Sequence, residues 1–254
     1  DIDTARCYEA EIALFERLFE ANPEAIACDM HPDYVSTRYA QRFKDKLPVI
    51  QIQHHRAHFA SALAENGVEG DALGFIFDGT GYGEDNTLWG GEALLGGVSK
   101  SLRVGHMLCA PLPGGEAAIR EPWRMALSVL NVSWGKEAAL AFFESRGSRA
   151  EVLLRACERG VNSPMTSGAG RLFDAVAAIA GLGEHTTYEG QAAVALEQVI
   201  DETATGSYGF DIAEDLGMMI FDWRQLICDA ARDAAAGTGA GVISARFHRA
   251  VVGL

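Results

Sequence analysis

Residues 72–98, ALGFIFDGTGYGEDNTLWGGEALLGGV, give the clearest indication of the fold in this chain of 254 residues. An apolar run reaches Asp78, glycines and acids follow, and a second apolar run covers residues 88–95. Two apolar runs joined by a glycine-rich turn are typical of a β-hairpin. The next segment, SLRVGHMLCAPL at 101–112, predicts a third strand.

Segments on both sides of the hairpin complete the predicted order of elements. Upstream, apolar spacing predicts a helix over 5–20, short strands at 25–29 and 47–52, and a helix over 55–66 that Gly67 ends. Downstream the pattern is mostly helical, at 116–130, 136–146, 150–160, 169–182 and 190–204, followed by a strand at 208–213 and two more helices. Strands followed by many helices favour an α/β fold with a mixed sheet.

Composition excludes several classes of protein. The net charge of −14 disfavours a nucleic-acid partner, and we find no basic stripe that would reverse this. Five widely spaced cysteines form no CxxC pair, which favours a reducing cytosol over a disulfide framework. The sequence begins without a signal-peptide pattern, and no apolar run approaches the ~18 residues of a spanning helix. We therefore expect a cytoplasmic protein with no membrane partner.

Three of the seven histidines stand within five positions in QHHRAHFASALAENG, residues 53–67. On a helix, His54 and His58 project from one face and can reach one ion, whereas His55 points roughly 100° away. Neutral imidazole is a common ligand for zinc or iron(II). Ordinary packed or exposed histidines are the alternative, and the spacing alone does not separate the two.

Asp78 and the glycines after it form a second candidate site. A carboxylate at the end of a buried strand is costly to bury unless it has a partner such as a cation. Gly79 and Gly81 would let backbone amides approach phosphate oxygens closely. The alternative is a hairpin turn whose glycines only satisfy positive φ.

Two further glycine-bearing segments favour a nucleotide. SGAGRLFDAVAA places Gly170 at the start of a helix, where free N–H groups attract anions, and Asp174 in its first turns. Asp174 either accepts from ribose hydroxyls or only complements the helix dipole. TYEGQAA offers Glu189 and Gly190 before the next helix. Neither a Walker A loop nor a GxGxxG motif is present.

AIREPWRMAL contains two arginines four positions apart, Arg120 and Arg124. If the segment is one helix, both lie on one face and could clamp a carboxylate or phosphate. Solvated helix residues are the alternative. We take the two arginines as candidate catalytic residues.

Six motifs in register resemble one known family. They are CDMHPDYVSTRYA, QHHRAHFASALAENG, FDGTGYGEDNTLWGGEALL, PLPGGEAAIREPWRMAL, TSGAGRLFDAVAA and TYEGQAA. Together they resemble the C-terminal carbamoyltransferase domain of HypF hydrogenase maturation factors. The resemblance implies an actin-like (ribonuclease H-like, ASKHA) two-lobed α/β fold.

The resemblance also implies a reaction. Carbamoyl-adenylate, made from carbamoyl phosphate and ATP, would bind beside a divalent metal, either iron(II) or zinc. The carbamoyl group would pass to the C-terminal cysteine of the partner HypE, which then makes the cyanide ligand of [NiFe]-hydrogenase. By position, His54, His58 and Asp78 match the family's metal ligands. Gly79, Asp174 and Gly190 match residues that hold the adenosine.

Departures from the family set limits on these expectations. The family carries adenylate-forming domains before this region and continues beyond it into a strand and a late aspartate. We therefore expect a first lobe over 1–115, and a mostly helical second part over 116–254 that is incomplete at its C-terminus. Alternatives are an O-carbamoyltransferase of small molecules, a non-catalytic fragment that binds HypE or nucleotide, and a tRNA threonylcarbamoyl enzyme. The net negative charge disfavours the last of these.

Overall fold

The computed structural model describes residues 2–254, which form two compact units divided within one helix, between Ala57 and His58. The first unit contains α1 (Ile2–Leu18), β1 (Ile26–Asp29), α2 (Val35–Gln41), β2 (Val49–Ile52) and the first turn of α3 (His54–Glu65). Strands β1 and β2 pair in parallel, with Asp29 opposite Ile52. Both strands therefore end at the same edge, and α3 begins two residues after β2.

The second unit is built on one seven-stranded sheet. Its strands are β3 (Ala72–Tyr82), β4 (Leu88–Gly97), β5 (Lys100–Met107), β6 (Ala110–Pro111), β7 (Met165–Thr166), β8 (Asp211–Asp215) and β9 (Met218–Asp222). The order is β6-β7-β4-β5-β9-β8, and β3 pairs with β4. β3, β4 and β5 run antiparallel, whereas β5 and β9 run parallel. The predicted hairpin, third strand and mixed sheet are confirmed.

The hairpin differs from the prediction in where its turn lies. β3 does not end at Asp78 but continues to Tyr82, with a register shift between Phe77 and Gly81. The turn comes later, and its positive φ is at Asn86 (63°). Gly79 does not have a positive φ. The interpretation of Gly79 and Gly81 as turn glycines that satisfy positive φ is therefore wrong, and close packing, described below, surrounds Gly79 instead.

Eight helices of the second unit follow the hairpin, together with a short 3₁₀ turn at Glu144–Arg146. They are α4 (Glu116–Arg120), α5 (Trp123–Trp134), α6 (Lys136–Phe142), α7 (Ser148–Glu158), α8 (Ala169–Ile179), α9 (Gln191–Gln198), α10 (Arg224–Ala235) and α11 (Ala240–Val252). The single helix predicted over 116–130 is wrong. Glu121 is non-helical (φ −126°, ψ 79°), because the proline after it disfavours the helical conformation.

Strand β9 was missed by the sequence pattern. It forms a tight hairpin with β8 through Leu216 and Gly217, both at positive φ (51° and 81°). Such a turn normally carries asparagine or glycine at its first central position. A leucine there gives no turn signal.

The core of the second unit surrounds α5, which packs against α8 and α10 and buries seven residues, Trp123 and Met125–Leu130. A smaller cluster fixes the second half of α3 on the hairpin. In it Phe59 and Leu63 pack against Leu94 of β4. The Phe59 ring lies so close to Gly74 that a Cβ there would stand 2.5 Å from it. No helix among residues 2–254 combines the length and apolar composition needed to cross a bilayer.

Candidate functional site

His58 and Asp78 face each other in the second unit. The packing of Phe59 on Gly74 sets α3 beside β3, so that His58 Nε2 lies 4.0 Å from Asp78 Oδ2. A cavity of about 550 Å³ between α3 and β3 reaches both residues, and they are partly exposed, at 57% and 31% of their side chains. An ion or ligand can therefore reach this pair from solvent.

His54 begins α3, one turn before His58. Residues four apart on a helix share a face, so the His54 ring projects on the side that carries His58. Its Nδ1 lies 2.8 Å from Oδ2 of Asp29, at the end of β1. His55 is fully buried instead, with its Nδ1 3.1 Å from the Gln53 side-chain nitrogen. His55 therefore belongs to the packing of the first unit.

The glycines beside Asp78 form a close junction with the start of α8. A Cβ on Gly170 would stand 2.9 Å from the Cα of Gly79, and one on Gly90 would stand 2.7 Å from the carbonyl oxygen of Asp78. A Cβ on Gly168 would collide with the carbonyl oxygen of Gly79. The backbone at the middle of β3 thus lies directly against the N-terminus of α8. At Gly90, Gly168 and Gly170 this contact leaves no room for a side chain.

A buried cluster of charges adjoins this junction. Arg171 and Asp174, on the first turns of α8, form an ion pair with 3.0 Å between Nη2 and Oδ2. Burial raises the pKa of Asp174 to about 6; the charge of Glu189 raises it as well, while that of Arg171 lowers it. Glu189 Oε1 would lie 2.8 Å from a Cβ on Gly79, with Arg171 Nη2 at 3.4 Å from the same point. Four of the predicted nucleotide-site residues therefore come together beside Arg171, namely Gly79, Gly170, Asp174 and Glu189.

The other predicted glycines are placed differently. Gly190 precedes α9 in a left-handed conformation (φ 79°), with no atom within 4 Å of where its Cβ would be. Gly81 lies within β3, opposite Trp89 of β4. Their roles in binding a nucleotide remain predictions.

The two candidate catalytic arginines do not share a helix face, which corrects the prediction. Arg120 ends α4 and is exposed, and α5 begins only at Trp123 because Pro122 interrupts the helix. Arg124 pairs with Glu121, with 2.7 Å between Nε and Oε2, and its guanidinium lies 5.7 Å from the Trp123 ring centre. Arg124 therefore has a structural partner, and a catalytic role for either arginine is a prediction only.

Comparisons with known proteins identify the family. The chain matches two family models, the HypF Kae1-like domain over residues 1–65 and the second subdomain of the Kae1-like carbamoyltransferase domain over residues 74–254. The chain belongs to the HypF Kae1-like domain family. It is 42% identical over 205 residues to carbamoyltransferase HypF2 of Cupriavidus necator, covering 78% of this chain and 25% of that protein.

A second relative, matched over a longer alignment, and a solved structure agree with this membership. HypF of Synechocystis is 35% identical over 276 residues, which span all of this chain and 35% of the relative. A crystal structure of full-length HypF in a phosphate- and nucleotide-bound form matches 97% of this chain and 32% of its own chain, with a TM-score of 0.87 and 37% identity. The Kae1-like, ASKHA-type α/β fold class predicted from the motifs is confirmed. The chain spans about a quarter to a third of these relatives.

Sequence reasoning missed a second buried network of this HypF domain. Glu92 of β4 is fully buried and accepts hydrogen bonds from Arg103 Nε (2.6 Å) and from the Ser167 hydroxyl (2.5 Å). Arg103 also pairs with Asp85 in the hairpin turn and lies 4.0 Å from the Trp89 ring centre. The network joins the hairpin to the segment that leads into α8. The sequence signal that could have revealed this network is a glutamate within an apolar strand.

Asp29 and Arg171 were also missed. Asp29 was recognised as the end of a strand, but its partner His54 is 25 positions away. Arg171 precedes Asp174 by three residues, a spacing at which opposite charges meet on a helix. Both residues are plain in the sequence. The sequence alone does not show that their side chains are buried, and burial is what makes them important.

Proposed function

We propose that this HypF-family chain is a carbamoyl-transfer domain that passes the carbamoyl group of carbamoyl-adenylate to the C-terminal cysteine of HypE. Family membership supports the reaction class. The single observation that carries the proposal is the junction of Asp78 and Gly79 with the N-terminus of α8, where the candidate metal and nucleotide residues of the second unit adjoin.

The chemistry of the donors fits a divalent cation. His58 and Asp78 already face each other at 4.0 Å, and His54 lies one turn earlier on the same face of α3. Two imidazoles and a carboxylate suit iron(II), zinc and manganese alike. A bound cation would act as a Lewis acid toward the carbamoyl carbonyl. We infer that His54, His58 and Asp78 hold it.

The residues beside this site fit a nucleotide. The start of α8 presents free N–H groups, which favour phosphate oxygens, and Gly170 keeps that end of the helix open to close approach. Asp174 and Glu189 supply carboxylates for ribose hydroxyls, with Arg171 balancing their charge. The HypF crystal structure with phosphate and nucleotide bound supports this proposal by similarity.

The nucleophile of the proposed transfer comes from the acceptor protein. Burial raises the pKa values of Cys28, Cys109, Cys157 and Cys228, that of Cys109 to about 11, so these thiols are poor nucleophiles at neutral pH. The acceptor thiolate attacks the carbamoyl carbon, forming a C–S bond. The bond from that carbon to the phosphate oxygen breaks, and AMP leaves with the electron pair.

The test supplies the purified chain with preformed carbamoyl-adenylate and HypE, and follows the intact mass of HypE. We expect the mass of one carbamoyl group on HypE, localised to its C-terminal cysteine by peptide mapping. HypE that lacks this cysteine is the matched control. A HypE that gains no mass, although it binds the chain, would contradict the transfer and leave a docking role.

A further inference from the structure

Asp29 and His54 meet because two parallel strands end together. Asp29 is the last residue of β1 and lies opposite Ile52, the last residue of β2. His54 follows two positions later, as the first residue of α3. The strand register therefore brings the Asp29 carboxylate to the His54 ring, with 2.8 Å between Oδ2 and Nδ1.

The carboxylate of Asp29 is held by a contact on each of its two oxygens, and His54 is the partner of Oδ2. Its other oxygen, Oδ1, accepts a hydrogen bond from the backbone N–H of His31 at 2.7 Å. The buried Thr37 hydroxyl contacts only the backbone of Asp29, donating to its carbonyl oxygen at 3.1 Å and leaving the carboxylate untouched. The Asp29 side chain is only 15% exposed, and that of His54 is 29% exposed. Asp29 thus has a fixed orientation and His54 keeps a partly open ring.

The chemistry of the pair determines which ring nitrogen carries the proton. An ionised carboxylate only accepts hydrogen bonds, so at 2.8 Å the proton belongs on His54 Nδ1. A neutral imidazole with a proton on Nδ1 has its lone pair on Nε2, the nitrogen that then binds a metal. Carboxylates that accept from the other nitrogen of a metal ligand orient the ring and increase its basicity.

We propose that Asp29 is a positioning residue for His54. It holds the ring in the tautomer and orientation in which Nε2 is presented to a divalent cation. The inference rests on the metal site proposed above and adds to it a residue from another strand. Asp29 acts through His54 and does not itself contact the cation.

Two neighbouring residues provide matched controls. Asp33 is an acid in the same segment, but it is exposed and pairs with Arg38 at 2.6 Å. Asp33→Asn therefore removes one negative charge nearby without touching His54. Thr37→Val removes a hydrogen bond to the Asp29 carbonyl and leaves the carboxylate intact. Both variants report on general damage to this segment.

The first measurement uses the metal-free chain and reads the His54 tautomer from long-range ¹H–¹⁵N NMR spectra of the imidazole. We expect the proton on Nδ1 in the wild type and in both controls. Asp29→Ala should shift the population toward the proton on Nε2, which is the tautomer that imidazole prefers without a partner. An unchanged tautomer in Asp29→Ala would overturn the proposal.

The second measurement is the dissociation constant for Zn²⁺, obtained by competition with a chromophoric chelator. Asp29→Ala should weaken binding by about 10- to 100-fold, the usual effect of losing such a partner. Asp29→Asn keeps an acceptor oxygen but loses the charge, so it carries the test if the alanine variant does not fold. Equal affinity in wild type and both Asp29 variants would overturn the proposal.

The failure of this inference differs from that of the proposed metal site. If the wild type itself does not bind Zn²⁺, Co²⁺ or Fe²⁺, the metal site is wrong and the metal-directed role of Asp29 is overturned with it. If the wild type binds and the Asp29 variants bind equally well, only the positioning role is wrong. Where the wild type binds, the two controls should bind as tightly as it does.

Discussion

Arg171 and Asp174 form an ion pair that is almost entirely buried, with 3.0 Å between Nη2 and Oδ2 and with side chains that are 1% and 3% exposed. Among residues 2–254, two other nitrogens of this guanidinium, Nε and Nη1, have no hydrogen-bond partner. Asp174 Oδ2 also has none, because its approach to Arg171 has the distance of an ion pair without the angle of a hydrogen bond. Desolvation therefore outweighs the attraction, which is why the Asp174 pKa rises to about 6.

The raised pKa of Asp174 predicts a pH dependence of stability. The ordinary value is 3.8, so between about pH 4 and pH 6 the folded state binds a proton at Asp174 that the unfolded state has lost. The free energy of unfolding should fall as the pH rises through this window, by roughly 3 kcal/mol from this group. Denaturant unfolding of wild type and Asp174→Asn at several pH values from 4 to 7 measures it.

For the Asp174→Asn variant, the informative quantity is the slope of the free energy of unfolding against pH and not its absolute value. At neutral pH the variant should be no less stable than the wild type, because the neutral amide avoids the desolvation cost that outweighs the attraction between Asp174 and Arg171. The slope that Asp174 contributes between pH 4 and pH 6 should be absent. Parallel pH profiles for the two proteins would contradict the assignment.

The glycine junction predicts a steric effect at Gly168. Its backbone (φ −59°, ψ 119°) suits alanine, but a Cβ would strike the Gly79 carbonyl oxygen. Gly168→Ala should lower the free energy of unfolding by about 1–3 kcal/mol, as overpacking does. Gly239→Ala is the matched control, because Gly239 also precedes a helix at φ −62° and has no atom within 4 Å of a Cβ. Equal melting temperatures would contradict the junction.

The buried network around Glu92 predicts a large loss of stability on truncation. Glu92→Ala leaves Arg103, whose side chain is only 10% exposed, without its closest partner, and should cost about 3–5 kcal/mol. Glu158→Ala, which breaks an exposed pair with Lys136, should change the free energy of unfolding very little, because solvent screens that pair. Urea unfolding of both variants distinguishes a buried network from a surface pair. Similar small losses in the two would contradict the account.

The metal site predicts that His58→Ala loses its bound cation while the fold persists. The His58 side chain is 57% exposed, so its removal should change the melting temperature by only a few degrees. Metal content after dialysis, measured by mass spectrometry, should fall to the background level. His185→Ala, at an exposed histidine, should retain the metal of the wild type. Full metal retention in His58→Ala would remove this residue from the site.

The sequence was most informative where a local pattern determines the structure. The hairpin of residues 72–98, the helix that begins near His54 and the glycine start of α8 follow from periodicity and from residues with special backbone preferences. Gly67, at φ 60°, ends α3 as predicted, and the backbone N–H of Val68 bonds back to the carbonyl of Leu63. These features need no knowledge of distant contacts.

Long-range contacts explain what the sequence did not reveal. Gly170 is a glycine because the backbone of Gly79, 91 positions earlier, packs on it, and a Cβ on Gly79 would meet the side chain of Glu189; a local interpretation assigns Gly79 to a turn instead. The partner of Asp29 is likewise set by the register of two strands. The helix break at Pro122 was a local signal, and the apolar periodicity of 116–130 concealed it. A role can be assigned to such residues only when the strand pairing and the helix packing are known.

The most direct test places the chain in its family context, because it spans only about a third of its relatives. The segment of Synechocystis HypF that matches this chain is replaced by it, and transfer from carbamoyl phosphate and ATP to HypE is followed by intact mass. We expect carbamoylated HypE with the graft, and none when the graft carries His58→Ala. Carbamoylation that proceeds equally in both, or a folded graft that binds HypE and transfers nothing, would contradict the account.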